Sequence, residues 1–408
     1  MATVTLDRSK RTGVTLVALL GAAVLLNYVD RGAIGIAAPV MKAELGLSPK
    51  AYGIAFSAFF WVYAPVQLFT GWLCDRFSVY KLMAAGILLW AGSTLLMGLV
   101  GGFISLMLLR IMLGVGESIS FPGSSKIIAR HVPPDRRGLA NAAIAAGIAW
   151  GPAIGTLAGG LIVASLGWRA MFFVFGAATL LWLVPWQRTV STLSSTGYAD
   201  DGAHVPVSAI ISKWSLWSMS IVHCLGNYCF YFLLAWLPLY LVQSRGFTIT
   251  QMTMLATLGY AVQGVCALGY GHFSDWWTRS GRSEAACRRW MMVASQFLAA
   301  FAILGLAYAH TALPIAILLC LAGAASASLS LNLYAIAQMF AGPRAAGTWI
   351  GVQNSFGNAS GIFGPIVTGI IVQQAGYTNA FVLTAAIAAL GAIWWAVGVP
   401  KIEPVTLD

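Results

Sequence analysis

This sequence is short of charge. Only 9% of its 408 residues are Asp, Glu, Lys or Arg, where a soluble domain carries about 25%. Its 23 basic and 12 acidic side chains cannot coat a globule of this size. A soluble enzyme, a secreted disulfide scaffold and a disordered regulator are therefore excluded. Metal and redox spacings are also missing. The six cysteines (74, 224, 229, 266, 287 and 320) are scattered, mostly in apolar segments, and read as small core residues. The five histidines (131, 204, 223, 272 and 310) make no H-E-x-x-H or nucleophile–base pattern. Neither an enzyme nor a metal or organic cofactor is expected. The first apolar run lacks a small-residue cleavage site and contains Asn27, Asp30 and Arg31, so it does not read as a removable signal peptide.

What fills the chain is apolar sequence, 59% of the residues. A membrane-spanning helix needs about 20 mainly apolar residues. Twelve such runs are present: 15–38, 52–73, 80–101, 103–128, 138–162, 170–187, 214–242, 250–274, 288–309, 312–338, 345–374 and 378–399. Gly101-Gly102 and Ala309-His310-Thr311 make tight hairpins of the third and fourth and of the ninth and tenth. The expected fold is an all-α membrane protein. The net charge of +11 invites a nucleic-acid reading, but the basic residues sit in short clusters between apolar runs, such as Arg8-Lys10-Arg11 and Arg279-Arg282-Arg288-Arg289. Seventeen of the 23 fall in the termini and alternate loops of one side, and only Lys42, Lys50, Arg169 and Arg245 on the other. Lys and Arg resist translocation, so both termini are expected in the cytoplasm, with the chain in the cell (inner) membrane.

The longest non-apolar stretch, 188–213, reads as a flexible cytoplasmic linker between two six-helix halves, 1–187 and 214–408. The halves repeat. Gly71-x3-Asp75 returns as Gly271-x3-Asp275 at an offset of 200, and Pro134, Gly138, Gly155, Gly160, Gly167 and Phe172 return at an offset of 209. Parallel six-helix repeats suit a carrier whose site lies at mid-membrane between the halves.

Four charges interrupt the spans: Asp30 and Arg31 in the first, Arg110 and Glu117 in the fourth. Each costs roughly 2.5–3.5 kcal/mol at the bilayer centre on insertion scales, so each needs a partner or a wet cavity. Arg110 and Glu117, seven residues apart, share a helix face at a separation of about 10.5 Å, too far for direct contact. Arg31 is either a counter-ion for Asp30 or Glu117 or the seat of an anionic ligand. The second reading is favoured, because a guanidinium offers a carboxylate two parallel hydrogen bonds. Arg110, about one turn into its helix, either snorkels outward or joins that seat. Asp30 and Glu117 are the candidate proton sites. A protonatable carboxyl beside an anion-binding Arg couples two ligands. Tyr28 shares a helix face with Arg31. Tyr63, Asn227, Tyr228, Tyr231, Asn354, Ser355 and Asn358, with Asn332 and Gln353, are polar enough to line a cavity or to bond helix to helix. His223 reads as a satisfied interfacial residue rather than a relay.

The stretches NYVDRGAIGIAAPVMKAELGLS (27–48), FSAFFWVYAPVQLFTGWLCDRF (56–77), RIMLGVGESISFPGSSKIIARHVPPDRRG (110–138) and GWRAMFFVFG (167–176) resemble the anion:cation symporter branch of the major facilitator superfamily. That branch includes bacterial sugar-acid and other carboxylate carriers and is similar to vesicular glutamate and lysosomal sialic-acid carriers. The resemblance implies two six-helix bundles related by a pseudo-two-fold axis. Arg31 would hold the substrate carboxylate, with Tyr28 and Tyr63 lining the site. Asp30 and Glu117 would titrate, and Arg110 would organise Glu117 or meet the anion on the outward side. Asp75, with Arg76 and neighbouring basic residues, would form a cytoplasmic latch. The loop motif is partial, since Phe77-Ser78-Val79-Tyr80 replaces the usual Gly-Arg stretch before Lys81. In the fifth span, where sugar-acid members offer polar groups, NAAIAAGIAWG (141–151) is nearly bare after Asn141. This points to a smaller or more apolar carboxylate, although Asn354, Ser355 and Asn358 partly restore polarity.

The expected function is proton-coupled symport (uptake) of an organic anion, a small carboxylate or sugar acid, by alternating access. The chain would work as a monomer in the lipid bilayer, with protons as coupling ion and no nucleic-acid partner. The alternative is a proton-linked drug antiporter, suggested by Gly147-x3-Gly151-Pro152-x2-Gly155. Small residues at that spacing also serve close helix packing, and two intramembrane arginines oppose a cationic drug.

Overall fold

A computed structural model describes residues 2–132, 137–191, 193 and 206–406. It describes their side chains except at 2–12, 68, 71, 72, 75, 129, 137–139, 141, 142, 343 and 344. The described elements are all helical. In chain order they are α1 (Ala2–Glu44), α2 (Pro49–Arg76), α3 (Val79–Met97), α4 (Phe103–Glu117), α5 (Ser120–His131), α6 (Arg137–Leu166), α7 (Trp168–Leu181), α8 (Leu183–Val190), α9 (Val207–Ile211), α10 (Trp214–Leu239), α11 (Ile249–Arg279), α12 (Glu284–Tyr308), α13 (Ala312–Gly357) and α14 (Ser360–Ile393).

Each of the twelve apolar runs is found as helix, though the boundaries of the helices and of the spans do not coincide. Among the described residues, ten stretches are long and apolar enough to cross a bilayer, and one of these, Ala345–Gly398, holds 54 residues. It is two spans, because Gly376 sits at φ 80° and reverses the chain. The remaining run, 52–73, lies in the 28-residue helix α2. Gly342, at φ 66°, likewise divides α13 into the end of the tenth span and the start of the eleventh. The fourth run is broken after Glu117, between α4 and α5. Pro122 has no N–H to offer the Ser118 carbonyl, so the helix ladder lapses there. Most of the expected linker, 192 and 194–205, lies outside the described residues.

The repeat is carried by turns as well as by sequence. Gly46 and Gly246, 200 apart, hold φ 61° and 72°. Two residues later Ser48 and Thr248 cap α2 and α11 by accepting the N–H of Ala51 and Gln251. Gly167 and Gly376, 209 apart, hold φ 86° and 80°. Left-handed φ is open to glycine without the steric cost a Cβ brings, so these matches record one chain path used twice.

The halves meet most tightly at the end remote from the termini. A Cβ at Gly35 of α1 would lie 2.2 Å from the Leu234 carbonyl oxygen of α10, and one at Gly53 of α2 would lie 2.2 Å from that of Pro365 in α14. Tyr52 donates to the Ala235 carbonyl across the same seam at 3.0 Å, and the Lys50 N–H reaches Gln373 Oε1 at 3.4 Å. Backbones this close leave no room for side chains between them. A Gly35→Val substitution is therefore expected to pry this end open. Disulfide formation between Lys50→Cys and Gln373→Cys, in a background without the native cysteines, should fall several-fold when Gly35→Val is added. Unchanged cross-linking would show that the seam does not depend on this contact.

Candidate functional site

The four intramembrane charges do not form one cluster. Asp30 and Arg31 are consecutive, and consecutive residues on a helix diverge by about 100°. Arg31 turns toward α4, where its Nε donates to Glu117 Oε2 at 3.0 Å. Both side chains are buried, 7% and 0% exposed. Asp30 turns the other way, into the packing between α1 and α3. Its Oδ2 accepts from Trp90 Nε1 and, at 3.3 Å, from Thr94 Oγ1. The sequence thus left two partners open for Arg31, and the fold pairs it with Glu117. Trp90 and Thr94 look like ordinary apolar-helix residues in the sequence, and nothing there marks them as Asp30's partners.

Aromatic rings surround the guanidinium of Arg31. Its Cζ lies 5.0 Å from the ring centroid of Tyr28, 5.5 Å from Phe59 and 4.6 Å from Tyr63. Desolvated cation–π contacts of this kind contribute about 2 kcal/mol each. Arg110 does not snorkel. It is 3% exposed, donates through Nη2 to the Phe56 carbonyl at 2.9 Å, and packs against the rings of Phe56 and Phe59. Between the two arginines is a small cavity whose remaining walls are Phe56, Phe59, Phe60, Tyr231 and Leu234. Arg31 Nη2, Arg110 Nε and Glu117 Oε1 are buried without a hydrogen-bond partner among the described residues. Buried polar groups are rarely left so; of these three, the two arginines line the cavity, and Glu117 stands behind Arg31 through its bond to Nε.

The second half contributes a hydrogen-bonded belt. Tyr231 donates to Asn358 Oδ1, Asn358 Nδ2 to the Asn354 carbonyl at 2.8 Å, and Asn354 Nδ2 to Gln67 Oε1 of α2 at 3.0 Å. Tyr334 donates to Asn354 Oδ1 at 3.0 Å, and Ser355 Oγ to the Ala64 carbonyl at 3.0 Å. Asn227 holds the Gly357 carbonyl at 3.3 Å, beside the break at 358–359. Tyr228 sits 3.3 Å from Thr368 Oγ1, within the second half. Asn332 accepts from Arg288 at 3.0 Å and Gln353 from Trp349 at 3.2 Å, both away from the cavity. His223 is buried against Gly357 and Tyr334. Tyr334 and Gln67 escape a sequence reading, because one polar residue in a long apolar run does not say which way it faces.

The residues Asn27-Tyr28-x2-Arg31 and Asn227-Tyr228-x2-Tyr231 are 200 apart, so the two central side chains of the cavity are repeat mates. Gly147, Gly151 and Gly155 pack directly on α1: a Cβ on each would come within 3 Å of Gly21, Tyr28 or Val29. That run serves helix packing. The side chain of Asp75 lies outside the described residues. Arg76 is exposed in the last turn of α2, and Lys126 Nζ holds the nearby Cys74 carbonyl at 2.7 Å.

Residues 20–283 and 281–407 match the model of the Major Facilitator Superfamily. The chain belongs to this superfamily. Its members are transporters, and the paired matches agree with the repeated turns. The chain is similar to "Probable galactarate/D-glucarate transporter GudP" of Bacillus subtilis (strain 168), at 30% identity over 399 residues covering 90% of this chain and 87% of that protein. It is also similar to "Hexuronate transporter" of the same organism, at 25% identity over 381 residues and 90% of each chain. In fold it matches the crystal structure of a bacterial homolog of the human lysosomal transporter Spinster in an inward-facing, unoccupied conformation. The TM-score is 0.81 at 18% identity, over 96% of this chain and 98% of that one.

For this superfamily member, the Arg31–Glu117 pair is open to a direct test of coupling. Removing one partner of a buried pair leaves the other charge unpaired, which costs about 3–5 kcal/mol, whereas replacing both with apolar residues costs far less. Arg31→Met and Glu117→Met should each lower the melting temperature of the detergent-purified protein, and the double variant should melt above either single one. Additive losses would mean that the two side chains do not stabilise each other.

Proposed function

We propose that this chain carries an organic anion across the membrane in symport with protons, by alternating access between the halves 1–187 and 214–408, joined through 188–213. The observation that carries the reading is the buried Arg31–Glu117 pair, of which Arg31, with an unpartnered Nη2, lines a cavity walled by both halves. The names of the relatives, transporters of sugar acids, agree with an anionic substrate. Arg31 is the seat of the substrate carboxylate, with Tyr28 and Tyr63 around it and Arg110 as the second cation. The substrate takes over the hydrogen bond that Arg31 Nε now gives Glu117. A proton on Glu117 removes its charge and its claim on Arg31, so proton and anion each favour the other's binding, by equal and reciprocal amounts. Asp30, held by Trp90 and Thr94 on the far face of α1, is a second proton site one residue from the seat. Tyr231, Asn354, Ser355 and Asn358 transmit the state of the cavity to the second half. Arg76, with Asp75, belongs to the latch at the cytoplasmic end, where the excess of basic residues places both termini. The carrier works as a monomer in the cell membrane.

Arg31→Ala should abolish binding of a carboxylate substrate, measured by thermal stabilisation of the purified protein, which rises with ligand saturation. Binding that survives places the seat elsewhere. Because the anion and a proton arrive together, affinity should weaken as pH rises. In Glu117→Gln that pH dependence should disappear, and in proteoliposomes this variant should exchange substrate yet fail to concentrate it under a pH gradient. Concentrative uptake by Glu117→Gln would move the proton site to another residue.

A further inference from the structure

The free hydrogen-bonding capacity of the cavity is narrow. Arg31 Nη2 and Arg110 Nε are its unpartnered donors, and two N–H-bearing atoms of neighbouring guanidiniums match the two oxygens of one carboxylate. Among the described residues lining the cavity, the one hydroxyl is that of Tyr231, and it already donates to Asn358. The amides that a hydroxylated substrate would need are also taken, since Asn354 and Asn358 are bonded to Gln67, Tyr334, Tyr231 and the helix backbone. Each substrate hydroxyl brought into this space without a partner costs about tenfold in affinity.

The other walls are rings. Phe60 stands edge-on to Phe59 with centroids 4.8 Å apart and lies 4.5 Å from Tyr231. Phe56 lies 6.3 Å from Phe60. These are the separations at which aromatic rings attract one another through offset and edge-to-face contacts, so the rings form one continuous aromatic wall. Tyr231 and Leu234 come from α10 and the rest of the wall from the first half, so rocking of the halves changes the width of the cage.

We propose that the carried anion is an arene monocarboxylate, its carboxylate held between Arg31 and Arg110 and its ring caged by Phe56, Phe59, Phe60 and Tyr231. This assignment rests on the reading of the chain as an organic-anion carrier and narrows it. Phe60 is the size-setting wall. Gly361 of α14 backs it so closely that a Cβ there would lie 2.5 Å from its ring, and an added methyl pushes the ring into the cage.

The test ranks ligands on the intact purified protein by thermal stabilisation at constant pH and ionic strength, using benzoate, D-gluconate of the same charge, and uncharged benzyl alcohol. Benzoate should half-saturate at a concentration at least tenfold below that of D-gluconate, and benzyl alcohol should give no shift. Gly361→Ala should weaken benzoate about fivefold or more. D-gluconate equal to or tighter than benzoate overturns the arene assignment and leaves the anion-carrier reading standing. Binding of neither anion to folded, monodisperse protein overturns both. Benzyl alcohol as tight as benzoate overturns the carboxylate seat, and an unchanged benzoate affinity in Gly361→Ala overturns the cage.

Discussion

A charge inside a bilayer has to be answered by another charge or by a ligand, and in this chain the answer is the contact between Arg31 and Glu117. Each alone would cost several kcal/mol in hydrocarbon. Together they tie the first span to the fourth near mid-membrane, with the rings of Tyr28, Phe59 and Tyr63 closing off the pair. The pair is incomplete, because Arg31 Nη2 and Glu117 Oε1 have no hydrogen-bond partner among the described residues. A fully satisfied pair would be a structural rivet. One whose arginine keeps a spare donor and lines a cavity is not such a rivet.

The two halves share a chain path and differ in chemistry. Positive-φ glycines recur at offsets of 200 and 209, and Asn-Tyr-x2-Arg in the first span is answered by Asn-Tyr-x2-Tyr in the seventh. All four intramembrane charges belong to the first half, while the second supplies Tyr231 and an amide belt fastened to α2 through Asn354 and Ser355. The charged groups of the cavity and three of its rings, Phe56, Phe59 and Phe60, therefore lie in the first half, and the second half closes it with Tyr231 and Leu234. A movement between the halves changes the cage without separating the two arginines, which both belong to the first.

Most of the helical layout was legible in the sequence, because a bilayer demands about 20 apolar residues per crossing and that demand appears as composition. The breaks inside spans were less legible. The Pro122 interruption after Glu117 and the turn at 358–359 depend on which carbonyls lose a donor, and the hydropathy of the segment does not change there. The four charges stood out for the same reason the spans did, as violations of an apolar background. Their grouping did not, since adjacent residues can face opposite directions.

Composition and periodicity by themselves determined that this is a twelve-span, repeated, all-helical membrane protein with Asp30, Arg31, Arg110 and Glu117 as its unusual residues. Those properties follow from the solvent, because hydrocarbon penalises every polar group wherever the helix is placed. The tertiary structure alone decided that Arg31 pairs with Glu117 and that Asp30 turns away to Trp90. It also decided that Arg110 stays buried and that Asn354 and Asn358 are bonded to neighbouring helices. Partner choice depends on the rotation and separation of helices far apart in sequence, which are set by close backbone packing and have no local signature.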